Sequence, residues 1–235
     1  MRTRAVDRPR LLGFTGALIA VLAAWNGLVV TRLPGSAVVA NVPATVVVLA
    51  AARATGLGWD EVGLGRRRLP SGLRLGGVCA GLVVAGYAAA LAVPGVRPLL
   101  ADARIAHLDG GQLAYATLVR VPLGTVLWEE VAFRGVLLAA LSRLVPRPTA
   151  VAASAAVFGI WHIRPTLSGL AANDLADGAA ATTAAVLLAC LGTAAAGVGF
   201  SWLRLRSGSL LAPALLHLAT NSTGTLAAAA ATRLG

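Results

Sequence analysis

Seven apolar runs, each close to the length a helix needs to cross a hydrocarbon layer, constrain this chain more than any other feature. They fall at roughly 11–31, 37–53, 75–95, 112–141, 149–164, 181–203 and 209–231. A crossing takes about 20 apolar residues. In lipid every backbone N–H and C=O must be paired within the protein, which leaves only helices and closed barrels. The runs show no apolar–polar alternation, so helix follows. The predicted fold is all-α: a polytopic transmembrane helix bundle of about seven spans, with six to eight compatible with the pattern.

Composition supports this. Apolar side chains make up 57% of the 235 residues and charged ones 12%, and the mean hydropathy is +0.79. Soluble domains carry about twice that charge. A soluble fold of this size has too much surface to hide so many apolar groups. Frequent Gly and Ala allow close helix packing within a membrane. Residues 1–110 are expected to supply N-terminal transmembrane helices, and 111–235 a catalytic helical core, within one continuous membrane domain.

All 20 basic residues are arginine, and the formal net charge is +11. They lie between the apolar runs and not along a soluble basic face, which argues against a nucleic-acid partner and for a topogenic role. With the N-terminus cytoplasmic, thirteen arginines fall on the cytoplasmic side. These are Arg2, Arg4, Arg8, Arg10, Arg53, Arg66 to Arg68, Arg74, Arg143, Arg147, Arg204 and Arg206. Arg32, Arg97, Arg104, Arg164 and Arg233 fall opposite. That bias predicts the N-terminus in. An eighth span, or a re-entrant piece within 112–141, changes the side of the C-terminus.

Four arginines within Met1 to Arg10 resemble the charged region of a signal peptide. The apolar run from Leu11 to Val30 is longer than a signal core, so a retained first helix is expected. Gly56 to Arg74, with Arg66-Arg67-Arg68 and Pro70, reads as an interfacial cytoplasmic loop whose basic triplet attracts anionic lipid head groups. Cys79 and Cys190 lie in apolar runs without metal or redox spacing and read as packing residues. Trp25, Trp128, Trp161 and Trp202 read as packing or interface residues.

Glu129 and Glu130 are the acidic residues that sit within an apolar segment. Ionisable groups inside a membrane are costly and point to function by default. Glu130 and Arg134 are four residues apart with the acid first, the favourable order for a helical ion pair. Glu129 is turned about 100° away on a helix of 3.6 residues per turn and has no such partner. Glu130–Arg134 therefore reads as structural, and Glu129 as the chemical group.

Two of the three histidines, His162 and His217, also lie in apolar segments, and His217 shares a helix face with Asn221. Glu129 is 14 residues from Arg143, His162 is 15 from Arg147 and His217 is 11 from Arg206. At about 1.5 Å per residue these depths are roughly 21, 22 and 16 Å, so all three can share one layer. Arg164, just beyond His162, suggests that its helix ends near the site. Ser154, Ser201 and Ser209 are not framed by a Gly-x-Ser-x-Gly elbow, and neither a His-Glu-x-x-His signature nor a phosphate loop occurs.

The three motifs resemble those of the CPBP family, the type II CAAX prenyl proteases and their bacterial bacteriocin-processing or self-immunity relatives, also called Abi proteins. The matching residues are Glu129-Glu130 with Arg134, Phe158 with His162, and His217 with Asn221, in order over 129–221. The resemblance implies an intramembrane endopeptidase that forms no covalent intermediate. By motif position, Glu129 and His162 activate a water, while His217 and Asn221 stabilise the oxyanion. Glu130, Arg134 and Phe158 give structural support.

The family is often labelled metalloprotease, and Glu129, His162 and His217 also make a His₂Glu set for Zn²⁺. A glutamate-activated water is preferred, because the set supplies either a base or a third ligand but not both. Expected partners are a peptide or protein substrate, prenylated in the type II CAAX class, and membrane lipid. The expected location is a bacterial plasma membrane. Two other readings stand beside this one: a non-catalytic scaffold or self-immunity protein, and an ion-coupled transporter, which the lack of internal repeats disfavours.

Overall fold

The computed structural model describes residues 8–25, 27, 35 and 37–234. Arg2, Arg4 and Arg32, which the orientation argument uses, lie outside the described residues, as does most of the end of the first apolar run. The described chain is helical, and no strand occurs among the described residues. Its main helices are α1 (Arg8–Ala24), α2 (Ala37–Ala54), α3 (Leu69–Ala92), α4 (110–144), α5 (Arg147–Trp161), α6 (Ile163–Ala172), α7 (Gly178–Ser207) and α8 (211–234). Short helical turns cover Arg66–Arg68, Pro94–Leu100 and Ala103–Ala106.

By length and composition, three helices among the described residues are apolar enough to cross a membrane. They are Ala37–Ala54, Arg66–Ala92 and Gly178–Ser207. Only 6% and 11% of the apolar windows of the last two are buried inside the protein. Leu82, Leu188 and Leu191 are about 70% exposed. A helix that is apolar all round and unburied needs lipid as its solvent. The protein is thus an integral membrane helical bundle; these helices support three of the seven expected spans.

Two boundaries differ from the sequence reading. Leu69 to Arg74 are helical, because Pro70 sits in the first turn of α3, where its missing N–H costs nothing. The expected loop therefore ends earlier. The run expected at 149–164 stops at Trp161, and His162 caps it before a separate helix, α6, begins. That break is the one Arg164 suggested.

The centre of the bundle is α4. Every residue from Trp128 to Ala140 is buried. Around this stretch lie Leu11, Leu18 and Leu22 of α1, Ala44 and Val48 of α2, and Phe158 and Trp161 of α5. Close approach elsewhere rests on glycine. Gly72 and Gly76 of α3 face the start of α8, and a Cβ on Gly76 would lie 2.8 Å from Ala212 Cα. This four-residue spacing of small residues is a membrane helix-packing device. Gly208 ends α7 at φ +70°, a left-handed conformation that favours glycine.

Helix α4 is wound loosely. Ala116–Arg120, Pro122–Val126 and Glu130–Leu137 are π-helical, and so is Ala219–Thr223 of α8. Pro122 cannot supply an i→i−4 donor, which accounts for one interruption. Glu130–Leu137 and Ala219–Thr223 coincide with polar motifs, and π segments within α-helices mark functional sites with high frequency. Ser222 Oγ donates to Thr117 O at 2.9 Å, tying one α4 segment to that of α8.

Candidate functional site

Glu129 ends the α-turn Leu127–Glu129, and Glu130 begins the π segment that also carries Arg134. Adjacent residues on a helix point about 100° apart, so the two carboxylates reach His217 from different sides. Glu129 Oε1 accepts a hydrogen bond from Trp161 Nε1 at 3.0 Å. Its Oε2 lies 3.8 Å from His217 Nε2 and is buried without a hydrogen-bond partner among the described residues. Glu130 Oε1 lies 2.8 Å from His217 Nδ1 and 3.2 Å from Arg134 Nη1. His217 therefore bridges the two glutamates through its two ring nitrogens.

Burial is nearly complete. Glu130 and Arg134 are each 1% exposed, His217 4% and Glu129 7%. The Arg134 guanidinium carbon sits 3.7 Å from the Phe158 ring centroid and 4.7 Å from that of Phe200. Cation–π contacts of this kind help hold a desolvated cation. Phe200 also stacks on His217 at 5.3 Å, with 22° between the planes. Phe158 meets His162 edge-on at 4.5 Å and His217 at 6.4 Å. The motif phenylalanine thus fixes the arginine and touches both histidines.

The expected residues are only partly gathered. Glu129, Glu130, Arg134, Phe158 and His217 form one cluster. His162 stands beside it, with Nδ1 2.8 Å from its own helix carbonyl at Phe158. A carbonyl only accepts, so Nδ1 carries the proton and Nε2 keeps its lone pair in the neutral ring. Asn221 is half-buried within the α8 π segment. Its backbone carbonyl accepts from Thr225 Oγ1, and its side-chain amide makes no hydrogen bond among the described residues.

The zinc reading needs Glu129, His162 and His217 together. The structure brings two of them to 3.8 Å and not the third. Among the described residues, no three His, Cys, Asp or Glu side chains form a group that could hold a metal. The residues present therefore do not fit the His₂Glu set.

The sequence reading gave Glu130 a purely structural role. It also orients His217, a contact between residues 87 apart that intrahelical spacing could not reveal. Trp161, read as a packing or interface residue, packs in the core and also donates to Glu129; its place directly before His162 was the available signal. Phe200 lies in an apolar run, and nothing in its surroundings marked it.

A family profile described as type II CAAX prenyl endopeptidase Rce1-like matches residues 111–223. Over this region the chain is similar to that family. The match contains all three motifs and the whole cluster around His217, so the family is a protease family whose matched region holds this buried polar site. No curated protein matches the chain, and no solved structure does.

Proposed function

We propose that the protein is an intramembrane endopeptidase that hydrolyses peptide bonds with a water activated by Glu129. One observation carries this reading: Glu129 Oε2 is buried and unpartnered among the described residues, 3.8 Å from His217 Nε2. That distance exceeds a direct hydrogen bond and suits a bridging water. With His217 protonated, Glu129, Glu130, Arg134 and His217 together carry no net charge, which suits a buried cluster. Both ring N–H groups then face carboxylates.

In this state a water accepts from His217 Nε2–H and donates to Glu129 Oε2. Glu129 removes its proton as the oxygen attacks the peptide carbonyl. The same N–H, with the Asn221 amide, opposes the charge that develops on the carbonyl oxygen. The His162 Nε2 lone pair helps to orient the water. Glu129 then returns the proton to the leaving amine, so no covalent intermediate forms. Low dielectric strengthens each of these interactions.

The family description points to a prenylated substrate with a CAAX-type C-terminus. The arginine bias supports a cytoplasmic N-terminus. The test is cleavage by purified protein in nanodiscs against prenylated and unprenylated peptides, comparing wild type with Glu129→Gln. The variant should lose about 10²–10⁴-fold in kcat. Full activity in a folded variant would remove Glu129 from the mechanism. A wild type that cleaves no peptide while binding the panel would favour a scaffold.

A further inference from the structure

One end of the bundle holds a cavity of about 600 Å³ that none of Glu129, His162, His217 and Asn221 lines. Six arginines do: Arg67, Arg68, Arg134, Arg143, Arg147 and Arg204. Two acids, Asp60 and Glu61, share the lining, which leaves a formal excess of four positive charges. Glu61 is committed to Arg143 through two contacts of 2.6 Å. Arg134 pairs with Glu130. Arg67, Arg68, Arg147 and Arg204 have no ion pair among the described residues.

Two of these cations are deeply buried and incompletely bonded. Arg204 is 5% exposed; its Nη2 donates to the carbonyls of Asp60 and Glu61, and its Nε has no partner among the described residues. Arg134 is 1% exposed, and neither Nη atom has a hydrogen-bond partner among the described residues. A buried donor without an acceptor is costly, and more so when charged. The charge of Arg134 is met by Glu130, but Arg204 Nε is such a donor, and with Arg67, Arg68 and Arg147 around the same space it calls for an anion.

A second depression, of about 430 Å³, adjoins the first and shares Arg147 and Leu205 with it. It runs between α5 and α7, and its other lining residues, such as Val151, Val198 and Trp202, are apolar. Trp202 is 57% exposed and Val198 45%. A cationic pocket at a bundle end thus continues into an apolar groove on the outer surface. We propose that the pair is a binding site for an anionic phospholipid, with the phosphate among the arginines and an acyl chain in the groove. Guanidinium groups match phosphate oxygens in geometry and charge, and basic pockets between membrane helices suit anionic head groups. A free anion would leave the groove without a purpose.

Native mass spectrometry on the detergent-purified chain tests this, using phosphatidylglycerol and phosphatidylcholine with the same acyl chains. Phosphatidylglycerol should bind at least about tenfold tighter. The preference should vanish in the Arg67→Gln, Arg68→Gln, Arg147→Gln variant, whose three positions are exposed and safe for folding. Trp202→Ala should weaken phosphatidylglycerol binding and leave inorganic phosphate binding unchanged. Equal affinity for the two lipids would overturn the proposal, as would a Trp202→Ala variant that binds lipid normally. Displacement of the lipid by millimolar phosphate would reduce the site to one for small anions. Displacement by a peptide with a free C-terminal carboxylate would reassign it to peptide. These readouts do not depend on cleavage activity.

Discussion

His217 Nδ1 lies 2.8 Å from Glu130 Oε1, so the second acid of the Glu-Glu pair orients the ring that faces the first. The two glutamates therefore differ in what they hold up. Glu130 also pairs with Arg134 inside the protein, whereas Glu129 has no arginine or lysine partner among the described residues. Glu130→Gln leaves Arg134 a buried cation without its counter-charge and should cost about 3 kcal/mol of stability. Glu129→Gln keeps an acceptor for Trp161 Nε1 and should cost less stability than Glu130→Gln, while cleavage falls about 10²–10⁴-fold. Thermal unfolding in one detergent, followed for both variants, checks the contrast. Equal destabilisation by both would contradict it.

Trp161 Nε1 donates to Glu129 Oε1 at 3.0 Å and fixes which oxygen is left to face His217. Trp161→Phe keeps the aromatic packing against Phe133, at 5.6 Å in the native protein, and removes the donor. Hydrogen bonds to charged groups contribute about 1.5–3 kcal/mol. Cleavage should accordingly fall about 10–100-fold in kcat, with little change in KM. A rise in KM at constant kcat would instead mark Trp161 as a substrate-binding residue.

These two contacts also show what sequence could disclose. The Glu130–Arg134 pair was legible because helical spacing sets it. Phe158, His162, His217 and Asn221 were legible as polar or motif residues in apolar runs. The bridge from His217 to both glutamates was not, because it joins residues 87 apart on different helices. Trp161 and Phe200 escaped because an aromatic in an apolar run has the same composition whether it packs or donates. The helical class followed from run length and the absence of apolar–polar alternation. The span count did not, since only three helices among the described residues are both long and apolar enough to cross a membrane.

Glu129 and His217 approach each other, but His162 turns Nδ1 to its own helix and is not gathered with them into a ligand group. Cleavage should therefore be unchanged by a strong chelator under conditions that strip protein-bound zinc. Loss of activity on chelation, with recovery on adding Zn²⁺ alone, would require His162 to move into a shared shell and would reverse this assignment.

Gly159 lets α5 lie directly on α7. A Cβ there would sit 2.6 Å from Cys190 O and 3.0 Å from Ala194 Cβ, both on a neighbouring helix that cannot yield locally. Gly159→Ala should cost about 1–3 kcal/mol by overpacking. It should also depress activity, because Phe158, Trp161 and His162 leave the same turn. Gly192 has open space around its Cβ position, so Gly192→Ala serves as the control and should match wild type in both measures.

Glu61 closes the arginine-lined end by gripping Arg143. Burial alone would raise its carboxyl. The Arg143 hydrogen bond, the Gly58 N–H and the charges of Arg143 and Arg53 together outweigh burial and hold it below the usual 4.5. A depressed folded value means that the pair's contribution is complete above about 4.5 and disappears as pH falls through the lowered value. The Glu61 side chain is 35% exposed, so solvent screening limits the contribution to about 1 kcal/mol. Thermal stability measured from pH 7 down to 3 should fall less steeply in Glu61→Gln than in wild type, the two curves converging at the acid end. Parallel curves over the whole range would mean that the ion pair does not contribute to the acid sensitivity of the fold.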